Sequence, residues 1–147
     1  MCSIEKEFIF NGFLGVFKWP DGAVYTGYFV DNEMNGFGVY TWKTGRRYEG
    51  DWKDGYMHGK GRLTYPDGND YNGDFVKGVK QGKGRFTWNR TGMSYNGSWS
   101  NDKMHGSGVI ANLEGRSREV YYEYGKKLDT EVVDETPRSH RVTESKS

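Results

Sequence analysis

Cysteine is nearly missing from this 147-residue chain, with Cys2 alone, so no intramolecular disulfide framework can exist and a reducing compartment fits. Proline is scarce at three residues, and Leu and Ala together supply only six, whereas Gly is the commonest residue at 22. That balance opposes helices. There is no run of 18 apolar residues, and the N-terminus has no basic stretch leading into an apolar one. Neither a membrane span nor a signal peptide is expected, and the chain reads as cytoplasmic. Charge of one sign is also lacking: 21 Lys plus Arg stand against 20 Asp plus Glu, which removes any global case for a nucleic-acid partner. Leu, Ile, Val and Phe make up less than a fifth of the residues, a level typical of disorder when charge is unbalanced and rings are few. Here neither condition holds.

Twenty-four residues are Phe, Trp or Tyr, so rings rather than aliphatic side chains provide the buried area. They recur with a fixed period. Tyr25-x-Gly27-x-Phe29, Tyr48-x-Gly50-x-Trp52 and Tyr71-x-Gly73-x-Phe75 are spaced by 23 residues, and Tyr95-x-Gly97-x-Trp99 follows after 24. The extra residue falls in the turn Asn89-Arg90-Thr91-Gly92, where insertions are tolerated. A second signature, Asn35-Gly36-x-Gly38, recurs as His58-Gly59-x-Gly61, Gln81-Gly82-x-Gly84 and His105-Gly106-x-Gly108. Asn11-Gly12-Phe13-Leu14-Gly15 is a half copy with one residue inserted.

Alternation within a unit gives the local structure. Tyr48, Gly50 and Trp52 share one face while Glu49, Asp51 and Lys53 share the other, and turn residues flank each run, so each unit is a β-hairpin. A lone hairpin is marginal in water, and the units must stack into one sheet. About nine or ten strands at roughly 4.8 Å make a ribbon on the order of 45 Å long, which twist bends into a groove.

The Tyr-x-Gly-x-Trp/Phe and His/Asn-Gly-x-Gly signatures, with an aromatic and a turn glycine closing each unit, resemble the MORN repeat (membrane occupation and recognition nexus). The resemblance covers residues 11 to 115. It implies an all-β fold, an elongated, curved single-layer antiparallel sheet of stacked 23-residue hairpins. It also implies use in protein contacts, often in cytoskeletal or ciliary assemblies, with phospholipid binding a second attributed role. The domain layout is an N-terminal cap or flexible segment over 1–10, then a sheet domain over 11–125. That domain holds a half repeat at 11–24, full repeats at 25–47, 48–70, 71–94 and 95–117, and a capping strand or helix at 118–125. Residues 126–147, charged and poor in rings, are expected to be a disordered tail containing Thr136-Pro137-Arg138.

No catalytic set converges, so a non-enzyme without cofactor or metal is expected. His58 and His105 occupy equivalent repeat positions about four strands apart, too far to share a zinc ion. Gly59-Lys60-Gly61 and its equivalents lack the helix a phosphate loop requires. The sequons at Asn89 and Asn96 matter only in a secreted protein.

Binding is the remaining class. A single-layer sheet cannot cover both faces of every ring, so part of the ladder Tyr48, Trp52, Tyr65, Tyr71, Phe75, Trp88, Tyr95 and Trp99 is expected to stay accessible and grip a partner helix or extended peptide. On the opposite face Tyr28, Val30, Phe37 and Val39 form an apolar patch. Either Phe8, Ile9 and Phe10 fold over it, or it serves a partner or a homodimer. Lys60, Arg62, Lys83 and Arg85 form a basic stripe suited to weak contact with anionic phospholipid headgroups, although Glu49, Asp51 and Asp74 are expected to pair across strands with it.

Overall fold

Alternating rings and glycines place the chain in β-structure wherever the computed structural model describes it, over residues 3–5 and 13–128. Twelve strands follow in chain order: β1 (Ser3–Glu5), β2 (Phe13–Lys18), β3 (Val24–Val30), β4 (Glu33–Thr41), β5 (Arg47–Lys53), β6 (Tyr56–Thr64), β7 (Asp70–Val76), β8 (Val79–Thr87), β9 (Ser94–Ser100), β10 (Lys103–Ala111), β11 (Ser117–Glu123) and β12 (Lys126–Leu128). Each pairs antiparallel with its neighbours in sequence, so sheet order equals chain order in one open, curved layer. The expected repeat sheet is therefore present, two strands longer than reckoned. β1 adds to the front, and β12 carries the ladder to Leu128, past residue 125 where the sheet was expected to stop. The cap is a strand, β11, rather than a helix. Phe8, Ile9 and Phe10, Cys2, the half-copy residues Asn11 and Gly12, and residues 129–147 lie outside the described residues.

The glycine pairs explain how one layer builds a core. Gly27 faces Gly38, Gly50 faces Gly61, Gly73 faces Gly84, and Gly97 faces Gly108. Each pair forms a flat floor on which the preceding tyrosine lies. Its hydroxyl donates to the carbonyl three residues on: Tyr25 to Tyr28 at 2.9 Å, Tyr48 to Asp51 at 2.7 Å, Tyr71 to Asp74 at 2.9 Å, and Tyr95 to Ser98 at 2.9 Å. The ladder register shifts at the same place in each hairpin. Where Arg118 replaces the tyrosine no flat floor is needed, and Val120 stands opposite Gly108.

Each tyrosine edge meets two further rings, one from its own repeat and one from the next. The row runs Phe29, Tyr25, Trp52, Tyr48, Phe75, Tyr71, Trp99, Tyr95, Tyr122, with centroids 5.0–5.6 Å apart and planes close to perpendicular. Trp52 and Trp99 donate their indole N–H groups to Gly38 and Gly84 carbonyls at 3.1 and 3.0 Å, which satisfies these buried donors.

At three of the four recurring positions, Asn35, Gln81 and His105, the side chain ties one hairpin to the next. Asn35 Oδ1 accepts from Asp54 N at 3.0 Å, Gln81 Oε1 from Asn101 N at 2.9 Å, and His105 Nδ1 from Tyr124 N at 3.0 Å. The residues that donate all have positive φ, between 45° and 50°. His105→Ala removes the last of these ties and should cost about 1 kcal/mol. His105→Gln should restore it, since Gln81 does the same work. Amide exchange at Tyr124 is the readout, faster in the alanine variant and wild-type-like in the glutamine variant.

Candidate functional site

The structure divides the eight rings expected to bind a partner into two sets. Tyr48, Trp52, Tyr71, Phe75, Tyr95 and Trp99 are all buried, with Tyr48, Tyr71 and Tyr95 at 0% exposure. They are the core. The accessibility expected of them fails because perpendicular packing covers ring faces and edges together, with no second layer required. Tyr65 and Trp88 are half-buried beside that core, in a fringe with Tyr40, Trp42 and Phe86.

This fringe lies toward the strand ends remote from the tight hairpin turns. Tyr40 and Trp42 stand 4.5 Å apart between centroids, Phe86 and Trp88 5.0 Å, and Tyr65 and Phe86 6.0 Å. The long turns that carry it are pinned by backbone bonds from Trp42 N to Arg46 O, Tyr65 N to Asn69 O, and Trp88 N to Met93 O. The last spans one residue more, as the spacing of the repeats predicts. In the fourth unit Asn112 takes the place of the closing ring, and its Oδ1 accepts from Glu114 N and Arg116 N at 3.0 Å each. The fringe therefore ends before β11. A surface cavity of about 600 Å³ opens beside Trp88, between the turns that hold Asp67, Asn69, Asn89 and Arg90.

Two cations enter this row. The Arg46 guanidinium lies 4.4 Å from the Trp42 ring centroid and 5.8 Å from that of Tyr65, and its Nε is buried without a hydrogen-bond partner among the described residues. Lys80 is only 8% exposed, with its ammonium 5.2–5.9 Å from the ring centroids of Tyr65, Tyr71, Phe86 and Trp99. Lys80 follows the Lys77-Gly78 turn but is not a surface lysine. It instead occupies the inward position held by Met34, Met57 and Met104 in the other hairpins. The signal was present in the sequence, because Lys80 lies 23 residues after Met57 and 24 before Met104.

Burial, partly opposed by the backbone hydrogen bond of each hydroxyl, pushes the phenols of Tyr25, Tyr48 and Tyr71 far above their ordinary value, and Tyr95 upward as well. They act as neutral donors, not as bases.

The outer face is different in kind. Tyr28, Val30 and Phe37 are exposed, at 43%, 43% and 51%, and Val39 is half-buried beside them. Of the basic stripe, Lys60 pairs with Asp74, and Arg62 makes two bonds to Asp70 Oδ2 at 3.1 and 2.6 Å. The pairing expected with Glu49 and Asp51 goes elsewhere: Glu49 takes Arg47 at 3.4 Å, and Asp51 accepts from the Lys60 backbone N–H. Burial raises the Asp74 carboxyl, but the Lys60 side chain and the Lys83 backbone N–H outweigh it and hold the group below its ordinary value. Its contribution is thus complete above the ordinary carboxylate range and lost as pH falls through the folded value. Lys83 donates to Ser98 Oγ at 2.9 Å, and Arg85 sits between Asn72 and Asn96 with no carboxylate opposite. Among the described residues no three His, Cys, Asp or Glu gather to hold a metal, and no helix is long and apolar enough to cross a membrane.

A single sheet of in-order hairpins, with tyrosines lying on paired glycines, defines a β-hairpin repeat protein. The sequence profile of the MORN repeat matches residues 14–24, 25–45, 48–70, 71–91 and 95–111, more than half of the chain, and the chain belongs to that family. MORN repeats serve protein and membrane contacts. No curated protein matched the chain.

Proposed function

We infer that this protein is a non-enzymatic scaffold or adaptor that holds a partner helix or extended peptide along its aromatic face, in a cytoplasmic setting of the cytoskeletal or ciliary kind. The half-buried fringe of Tyr40, Trp42, Tyr65, Phe86 and Trp88 supports the reading. These rings repeat from hairpin to hairpin beside a core that needs no further cover. Large rings with few rotatable bonds suit peptide capture. The anchors are Tyr65 and Trp88; the buried Trp52 and Trp99 hold the sheet together.

Tagged protein used to capture partners from its own cells, compared with a Tyr65→Ala/Trp88→Ala variant, tests this. A stoichiometric protein lost tenfold or more with the variant, while its unfolding transition stays in place, is expected. Equal capture by both forms counts against the groove.

A second reading, a peripheral module for anionic phospholipids, is favoured by Lys83 and Arg85, which have no carboxylate partner among the described residues. It predicts that sedimentation with phosphoinositide vesicles falls with salt and is lost in Lys83→Glu/Arg85→Glu. Salt-independent absence of binding ends it.

A further inference from the structure

The aromatic face carries two positive charges and nothing on the described chain neutralises them. Neither Arg46 nor Lys80 has a carboxylate within ion-pair distance among the described residues. The nearest acid to Lys80 is Asp102, whose Oδ1 accepts from the lysine's backbone N–H at 2.8 Å rather than from its ammonium. The three equivalent positions hold methionine, so packing alone does not call for a lysine. Lys80 is 8% exposed, and its ammonium, 5.2–5.9 Å from four ring centroids, has no hydrogen-bond partner among the described residues, so an incoming carboxylate meets an unpaired cation there.

The chain itself has a segment of matching chemistry. After Leu128 the sequence runs Asp129-Thr130-Glu131-Val132-Val133-Asp134-Glu135, with four acids, two valines and no base before Arg138. We propose that residues 129–135 fold back as a strap across the aromatic face, placing Asp134 against the Lys80 ammonium and Val132 over Met104. Reach permits it. Lys80 is the second residue of β8 and Lys127 the second of β12, so the two stand at one level, four strands apart. That is about 19 Å, which six extended residues at about 3.3 Å each just span, to residue 134.

The sequence also gives the chain a reason to leave the ladder. After Leu128 comes Asp129, at the position where Gly36, Gly59, Gly82 and Gly106 all take positive φ. A tethered segment acts at an effective concentration on the order of millimolar, so modest contacts hold it where a free peptide would dissociate. The docking does not depend on the inferred partner; a partner on the same rings has to displace it.

The experiment uses the full chain with Cys2→Ser and Thr136→Cys, the new thiol carrying a nitroxide, and reads the indole N–H resonances in 15N-labelled protein. The Trp88 and Trp99 signals should lose more than half their intensity relative to the reduced label, while Trp19, on the same face but at the far end of the sheet, is spared. The loss should vanish with Lys80→Met, which places in β8 the residue used by the other hairpins. It should vanish also when Asp129, Glu131, Asp134 and Glu135 become Asn, Gln, Asn and Gln, changes that leave every strand intact. Attenuation of Trp88 no greater than that of Trp19, or attenuation indifferent to both variants, overturns the strap. So does attenuation that appears equally when the nitroxide sits on separate, 14N chains, which would make the contact intermolecular.

Discussion

Gly84→Ala should cost about 3 kcal/mol or more, the upper end of what overpacking a core costs, and unfold much of the protein at ordinary temperature. A Cβ at Gly84 would fall inside the ring of Tyr71, meeting its hydroxyl and two ring carbons well within van der Waals contact. The ring cannot yield. Its edge is held by Phe75 and Trp99 at centroid distances of 5.1 and 5.0 Å, and its hydroxyl by the Asp74 carbonyl. Gly45→Ala is the control: nothing lies within 4 Å of its added carbon, and only the positive φ of 94° opposes the change, at about 1 kcal/mol. Since the three atoms nearest the added carbon all belong to Tyr71, most of the Gly84→Ala cost should disappear in a Tyr71→Ala background. Urea unfolding of the four forms measures that coupling. Equal costs for Gly84→Ala with and without the tyrosine would show that the glycine is needed for some other reason.

Raising the pH above about 10, the ordinary tyrosine value, should unfold the sheet in one cooperative step. Tyr25, Tyr48, Tyr71 and Tyr95 are fully buried, and burial raises all four phenols in the folded state. A group whose folded value is raised stabilises the fold fully below its unfolded value, and that stability is lost as pH climbs toward the folded one. Each strongly shifted tyrosine removes about 1.4 kcal/mol per pH unit over this window, so Tyr25, Tyr48 and Tyr71 together remove on the order of 4 kcal/mol per unit, with Tyr95 acting in the same direction. Against a net stability of about 5–15 kcal/mol, collapse is expected within roughly one to four units above that point. Phenolate absorbance and the circular dichroism of the sheet should change together. Independent ionisation of these four phenols near pH 10 with the sheet intact would contradict the burial.

Much of the fold was legible because the period is carried by residues with strict geometric duties. A glycine two places after each tyrosine, and another facing it across the ladder, mark where a ring must lie flat; Trp88 to Gly92, one residue longer than its counterparts, marked the insertion. The site was legible only in part. Alternation places Trp52 and Trp88 on one face but does not say that Trp52, four residues after Tyr48, wedges between the tyrosines of two repeats while Trp88, in a closing position, does not. Apolar composition also concealed Lys80, which only the phase of the methionines reveals. β12 was missed because the fifth copy has lost its markers, with Arg118 for tyrosine and Val120 for glycine, while keeping Tyr122 and the Tyr124-Gly125 turn.

The central claim is the division of one aromatic face into a structural row and an accessible fringe. Urea unfolding of Trp99→Ala beside Trp88→Ala tests it most directly. Trp99 is 6% exposed and hydrogen-bonded to Gly84, so its loss should cost about 3–5 kcal/mol, whereas loss of the half-buried Trp88 should cost about 1 kcal/mol. That gap is the predicted result. Equal costs, or a larger one for Trp88, would mean that the rings form a single undivided core and that the fringe is not a surface kept free for binding.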